Sequence, residues 1–99
     1  MASNPGTLER PDLGEVTAND GDWIVTVYDN DNNTFEEVIA ILLLATGCTM
    51  EEAQIETWEV HHLGASVVHH GSEDECRRVG RIISRIGIKV VVSQEKVAS

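Results

Sequence analysis

Apolar residues recur along this chain in two different periods, and the switches between them mark out its elements. Trp23-Ile24-Val25-Thr26-Val27-Tyr28 is a run of β-branched and aromatic residues between polar stretches, which predicts a strand. The next apolar positions, Phe35, Val38, Ile39, Leu42 and Ala45/Thr46, are spaced three or four apart, which predicts a helix. Asn33 and Thr34 stand at its N-cap, each with a glutamate three residues on, a capping-box pattern, and Gly47 stops it. A second box, Thr49 to Glu52, opens a helix through about Val60, with Ala53, Ile55/Glu56, Thr57 and Val60 along it; Gly64 ends the linker that follows. Ala65 to His70 contains Val67 and Val68 and reads as a short second strand. A third box, Ser72 to Glu75, precedes Cys76, Val79, Ile82, Ile83 and Ile86 at helical spacing, and Gly87 ends that helix. Ile88 to Val92 is the last strand.

The order is β-α-α-β-α-β. Three strands and three helices in so short a span predict an α+β fold: a three-stranded antiparallel sheet with three helices packed on it. Before it, residues 1–21 are rich in Gly, Pro, Asn, Asp and Glu and carry no apolar period, so they read as a flexible tail ahead of a core at 22–97.

Composition narrows the function more than the fold. The chain has 99 residues, one domain's worth, and 41% of them are hydrophobic. Seventeen acids against seven bases give a formal charge of −10, which argues against nucleic acid as a partner, since that needs Lys and Arg to displace counterions. No run approaches the ~20 apolar residues of a membrane span, and Met1 to Glu15 lacks the apolar core of a signal peptide, so no membrane partner and a cytoplasmic location are expected. Cys48 and Cys76 sit in no CxxC and are expected to be reduced, packed thiols.

Catalytic chemistry finds little footing. There is no GxSxG, no phosphate-binding GxxxxGK[ST], and no cysteine in a recognised context, so a non-enzyme is expected. The histidines come as two pairs, His61-His62 and His69-His70, at a spacing that matches no standard zinc pattern; no metal or other cofactor is expected. The stretch YDNDNNTFEE, residues 28–37, carries more. Asp29, Asn30 and Asp31 directly follow the first strand, where rigid backing meets solvent. Their oxygens suit either an Asx-rich turn or a cradle for an ammonium group.

These residues resemble the ClpS family, adaptors that deliver N-degron substrates to an AAA+ Clp protease. The family's strand leads into N-D-D and then often x-N-T-F-E-x-V; here the run is Asp29-Asn30-Asp31-Asn32-Asn33-Thr34-Phe35-Glu36-Glu37-Val38. A second family block, V-H-x-x-G before a short strand, is matched by Val60-His61-His62-Leu63-Gly64. The helix from Ser72 to Gly87 and the closing strand with Glu95-Lys96 also stand where the family has them.

The resemblance implies an adaptor that binds the free α-amine of a protein's first residue through Asp29, Asn30 and His61. It implies a side-chain pocket between the first two helices, with Phe35, Val38, Thr57 and Val60 on them and Val90 from the last strand. The expected cargo begins with Leu, Phe, Tyr or Trp. The expected partner is the N-terminal domain of a ClpA- or ClpC-like ATPase, met by Asp74 with Arg77 or Arg78. Two departures stand out. Asp29 and Asn30 are swapped relative to N-D-D, and Thr57 is shorter than the usual Met. A ClpS-like module with altered or lost degron recognition is therefore the alternative.

Overall fold

The computed structural model describes residues 23–95. The predicted tail lies outside that range, as do Asp22, Lys96 and Val97 of the predicted core. The elements run β1 (Trp23–Tyr28), α1 (Phe35–Thr46), α2 (Met50–Leu63), β2 (Ala65–Gly71), α3 (Glu73–Ile83), a 3-10 turn (Ser84–Ile86) and β3 (Lys89–Gln94). The sheet is antiparallel throughout, in the order β2-β1-β3, so the first strand lies in the middle.

Alternation in β1 sends Val25 and Val27 inward, both fully buried. Around them close Val38, Ile41, Leu42 and Ala45 of α1, Ala53 and Val60 of α2, and Cys76, Val79 and Ile83 of α3. Cys48 and Cys76 are free thiols, as expected, and burial pushes the Cys76 thiol up. On β2 the register slips between Val25 and Thr26 of its partner strand, so β2 accommodates an extra residue: His69 pairs with Val25 and Val67 with Thr26.

The helix starts explain themselves. Thr34 caps α1 and Thr49 caps α2, each hydroxyl accepting from the third residue on while that residue's glutamate bonds back to the cap backbone. The third predicted box is only half made: Ser72 Oγ accepts from Glu75 N, but the Glu75 carboxylate lies beside His69 instead, 3.1 Å from Nε2. That position is open because Gly71 has no Cβ; one there would meet Glu75 Oε1 at 2.6 Å.

The ends of two helices differ from the sequence pattern, and a left-handed glycine follows each. α2 runs on to Leu63, so there is no linker: His61 and His62 each bring Nδ1 to the carbonyl one turn back, and Gly64 (φ 93°) ends the helix directly. α3 becomes a 3-10 turn after Ile83, and Gly87 (φ 84°) leads to β3, which starts at Lys89 rather than Ile88.

Candidate functional site

The strand-to-helix loop 29–34 is held from two sides. On one side Asp29 N–H donates to Gly64 O at 3.0 Å, tying the end of β1 to the end of α2. On the other, Asn33 Nδ2 donates to Ile86 O (2.8 Å) and Asn30 Nδ2 to Gly87 O (3.4 Å), tying the loop to the approach of β3. Asn30 Oδ1 meanwhile accepts from the backbone N–H of Asn32 and Asn33, at 3.3 and 3.0 Å. The carboxamide of Asn30 is thus turned inward on its own loop, as in an Asx turn. The Asp29 side chain stays exposed beside Gly64.

His61 stands one turn before that same helix end. Its Nδ1 lies 3.1 Å from Thr57 O. A carbonyl only accepts, so Nδ1 carries the hydrogen, and in the neutral ring Nε2 is left as an acceptor. The ring meets Phe35, the first residue of α1, with centroids 5.2 Å apart and a 43° tilt. Asp29, Phe35 and His61 are therefore gathered at one end of the sheet by three different elements.

Behind them the α1–α2 seam is apolar and sealed. Val38, Thr57 and Val60 are all fully buried. The Thr57 hydroxyl has no hydrogen-bond partner among the described residues. On the flank of α2 that faces β2, Glu59 accepts from Ser66 Oγ at 2.7 Å. Its neighbour Glu56 has one carboxylate oxygen buried without a partner among the described residues, and its pKa is pushed up to about 7, first by burial and then by the charges of Glu52 and Glu59.

Val90 lies one residue pair in from this end of the sheet. It pairs with Val27 and lies under α3, where a side chain at Gly80 would come within 3.4 Å of Val90 Cγ1. Just before β3, Ile88 is 4% exposed, one residue ahead of the Tyr28–Lys89 pair and next to the Gly87 carbonyl that Asn30 binds. Strand periodicity alone did not single it out, because its place depends on the long-range register.

The three predicted docking residues form a separate patch. Asp74, Arg77 and Arg78 are exposed on the first turns of α3. Arg77 is held by Glu73 through Nε and Nη2, at 2.9 and 2.7 Å, with its guanidinium over Trp23 at the opposite end of β1 from Asp29. Among the described residues no group of three or more His, Cys, Asp or Glu side chains could hold a metal ion. No described helix is long and apolar enough to cross a membrane.

Comparison with known proteins bears on this arrangement. Residues 18–89 match the family described as ATP-dependent Clp protease adaptor protein ClpS. The sequence is 30% identical over 90 residues to the E3 ubiquitin-protein ligase ubr-1 of Caenorhabditis elegans, an alignment covering 86% of this chain but only 4% of the ligase. Among solved structures, Agrobacterium tumefaciens ClpS2 bound to L-phenylalaninamide superposes with a TM-score of 0.69 at 15% identity, over 74% of this chain and 95% of that one. The expected α+β architecture, a three-stranded antiparallel sheet with three helices packed on it, is present, and its fold is shared with that structure.

Proposed function

The chain belongs to the ClpS family of Clp protease adaptors, and on that premise we propose that it captures N-degron substrates and delivers them to a Clp AAA+ ATPase of the ClpA or ClpC kind. The observation that carries the reading is the fixed tautomer of His61, whose Nδ1–Thr57 bond leaves Nε2 as an acceptor near the helix end to which the Asp29 backbone is tied. An ammonium group offers three donors and no acceptor, so a carboxylate and a neutral imidazole nitrogen are suitable partners. L-Phenylalaninamide, the ligand of the Agrobacterium protein, has a free α-amine, an aromatic side chain and an amide in place of its carboxylate. It is the first residue of a peptide in miniature, and we extend that chemistry to this chain.

In this reading Asp29 and His61 Nε2 hold the α-amine. Asn30 shapes the loop that presents Asp29. Phe35 stands at the mouth, and the first side chain enters the α1–α2 seam toward Val38, Thr57 and Val60, with Ile88 a better candidate than Val90 on the β3 side. Asp74 and Arg78, one turn apart on α3, serve as an ATPase contact away from the amine site, with Arg77 braced by Glu73. The family is one of adaptors, and no reaction is assigned to the domain. The ligase activity of ubr-1 is not carried over from a match to 4% of its length.

A second reading, a ClpS-like module with altered degron recognition, is favoured by the sealed seam: Val38, Thr57 and Val60 have no exposed surface while Phe35 rests against His61. Titration with Leu- and Phe-first peptides and their N-acetylated twins separates the two. Free peptides should bind and acetylated ones should not. Equal affinity for both, with retained binding to a Clp ATPase N-terminal domain, would establish the second reading instead.

A further inference from the structure

The threonines of α1 and α2 treat their hydroxyls in opposite ways. Thr46, near the end of α1, turns its hydroxyl back to Leu42 O at 2.9 Å, the usual recourse of a threonine in a helix. Thr57, in the middle of α2, has no exposed surface, yet its hydroxyl bonds nothing among the described residues. A buried hydroxyl without a partner is unfavourable, and an unpaired one in a native structure asks for an explanation.

Its position supplies one. Residues four apart lie on one helix face, so Thr57 sits one turn behind His61, about 5.4 Å along the axis. The two are coupled by the Nδ1–carbonyl bond, so one residue orients the imidazole with its backbone and presents a hydroxyl with its side chain. Val38 of α1 and Val60 of α2 are as fully buried as Thr57, and their side chains offer no polar atom.

We propose that Thr57 is a specificity-determining residue that favours a first residue with an aromatic body and a hydrogen-bonding tip, namely tyrosine over phenylalanine. The inference rests on the reading that the first residue's side chain enters the α1–α2 seam with its α-amine at Asp29 and His61. A side chain anchored there reaches Thr57 across one helix turn. A phenol oxygen can donate to or accept from the threonine hydroxyl and so satisfies it, whereas a phenyl ring or a leucine leaves it unpaired. Sites that hydrogen-bond a substrate hydroxyl discriminate against the analogue lacking it because the site's own polar group is otherwise stranded.

The test uses the full chain and peptides identical except for Tyr, Phe or Leu at the first position, each with an N-acetylated twin. Wild type should favour Tyr over Phe by about fivefold or more, the effect of one neutral hydrogen bond. Thr57→Val keeps the shape and removes the hydroxyl, and should bring the Tyr to Phe ratio to one or below. Thr57→Ser keeps the hydroxyl and should keep the preference. A Tyr to Phe ratio that is the same in wild type and Thr57→Val overturns the inference, and if acetylation still abolishes binding it does so while leaving the degron reading intact. Indifference to acetylation in every protein and peptide overturns both.

Discussion

The two junctions that carry the chain from sheet to helix begin alike and end differently. Thr34 and Ser72 cap α1 and α3 in the same extended conformation, φ −78°, ψ 163° and φ −70°, ψ 164°, each accepting from the third residue on. Between β2 and α3, however, the chain turns with hardly a residue to spare, and its acids are used locally: Glu73 holds Arg77, and Glu75 lies against His69. Between β1 and α1 the loop is longer. Asn30 and Asn33 bind its own backbone and the carbonyls of Ile86 and Gly87, so the loop keeps its shape without help from the Asp29 side chain. An exposed carboxylate without a bond among the described residues, on a braced loop tied through its backbone to the end of the helix that carries His61, is what marks the first junction as a candidate binding site and the second as a turn.

That contrast breaks most readily at the carboxylate. Asp29→Asn should weaken binding of a Phe-first peptide by about 2 kcal/mol or more, because a charge-assisted bond to the ammonium is lost. N-acetylation of the peptide should cost at least as much, while Glu73→Gln on the other junction leaves peptide affinity in place. Comparable losses from Asp29→Asn and Glu73→Gln in a calorimetric titration would erase the distinction. His61→Ala, which removes the imidazole acceptor, should likewise lose most of the binding.

Stability tests the frame itself. Asn30→Ala removes the acceptor of two backbone N–H groups and a donor to two oxygens, and should lower the unfolding free energy by about 2 kcal/mol in urea, at roughly one per net bond for the better-formed pair. Ser72→Ala removes only a cap and should cost about 1 kcal/mol. Equal losses would mean that the first junction is no more cross-braced than the second.

Glu56 sharpens the comparison from the α2 side. Its folded pKa, raised to about 7, lies above its ordinary value of 4.5, so the native state holds this proton more tightly than the unfolded chain does. Stability from this group is therefore full below pH 4.5 and is lost as pH rises toward 7. Glu56 is partly open to water, so after allowance for screening the loss should be about 1 kcal/mol. Glu56→Gln should remove that part of the pH slope in denaturant midpoints measured from mildly acidic to mildly alkaline buffer; an unaltered slope would show that the carboxylate is not burdened by burial.

The smallest effect belongs to the short junction. Gly71 does not require a left-handed backbone, and the atom its Cβ would meet is the movable end of Glu75. Gly71→Ala should therefore cost about 0.5 kcal/mol or less. A loss several times larger would show that the Glu75–His69 placement is a structural tie of the same rank as the Asn30 loop.

Much of the fold was legible in the residues because it is locally encoded. β1 runs over the residues its β-branched pattern predicts, and Thr34, Thr49, Ser72 and the glycines at 47, 64 and 87 punctuate the helices as their chemistry requires. What escaped was non-local or depended on competition between partners. Glu75 completes a capping-box pattern in sequence, but His69 across the bulged strand takes its carboxylate. Asn30 reads as an acceptor for a ligand, but the carbonyl of a residue 57 positions away and its own loop engage the carboxamide. The placement of Ile88 and Val90 near the end of β1 follows from the β1–β3 register, which periodicity does not contain. The roles proposed for Asp29 and His61 rest on the family's blocks, whereas the tautomer of His61 and the unpaired Thr57 hydroxyl required three-dimensional contacts.

The central place of the first strand also sets a schedule. β1 is synthesised first, yet its partner β3 is synthesised last, and their pairing runs from Trp23 opposite Gln94 to Tyr28 opposite Lys89. At the ~5–20 residues per second of translation, several seconds separate the two strands. During that interval the middle strand has an open side, and the loop that carries Asp29 lacks its anchors at Ile86 and Gly87. On the proposed function, an unfinished chain has its candidate amine-binding residues but lacks one of the two ties that brace their loop, so recognition should be complete only when the last strand docks.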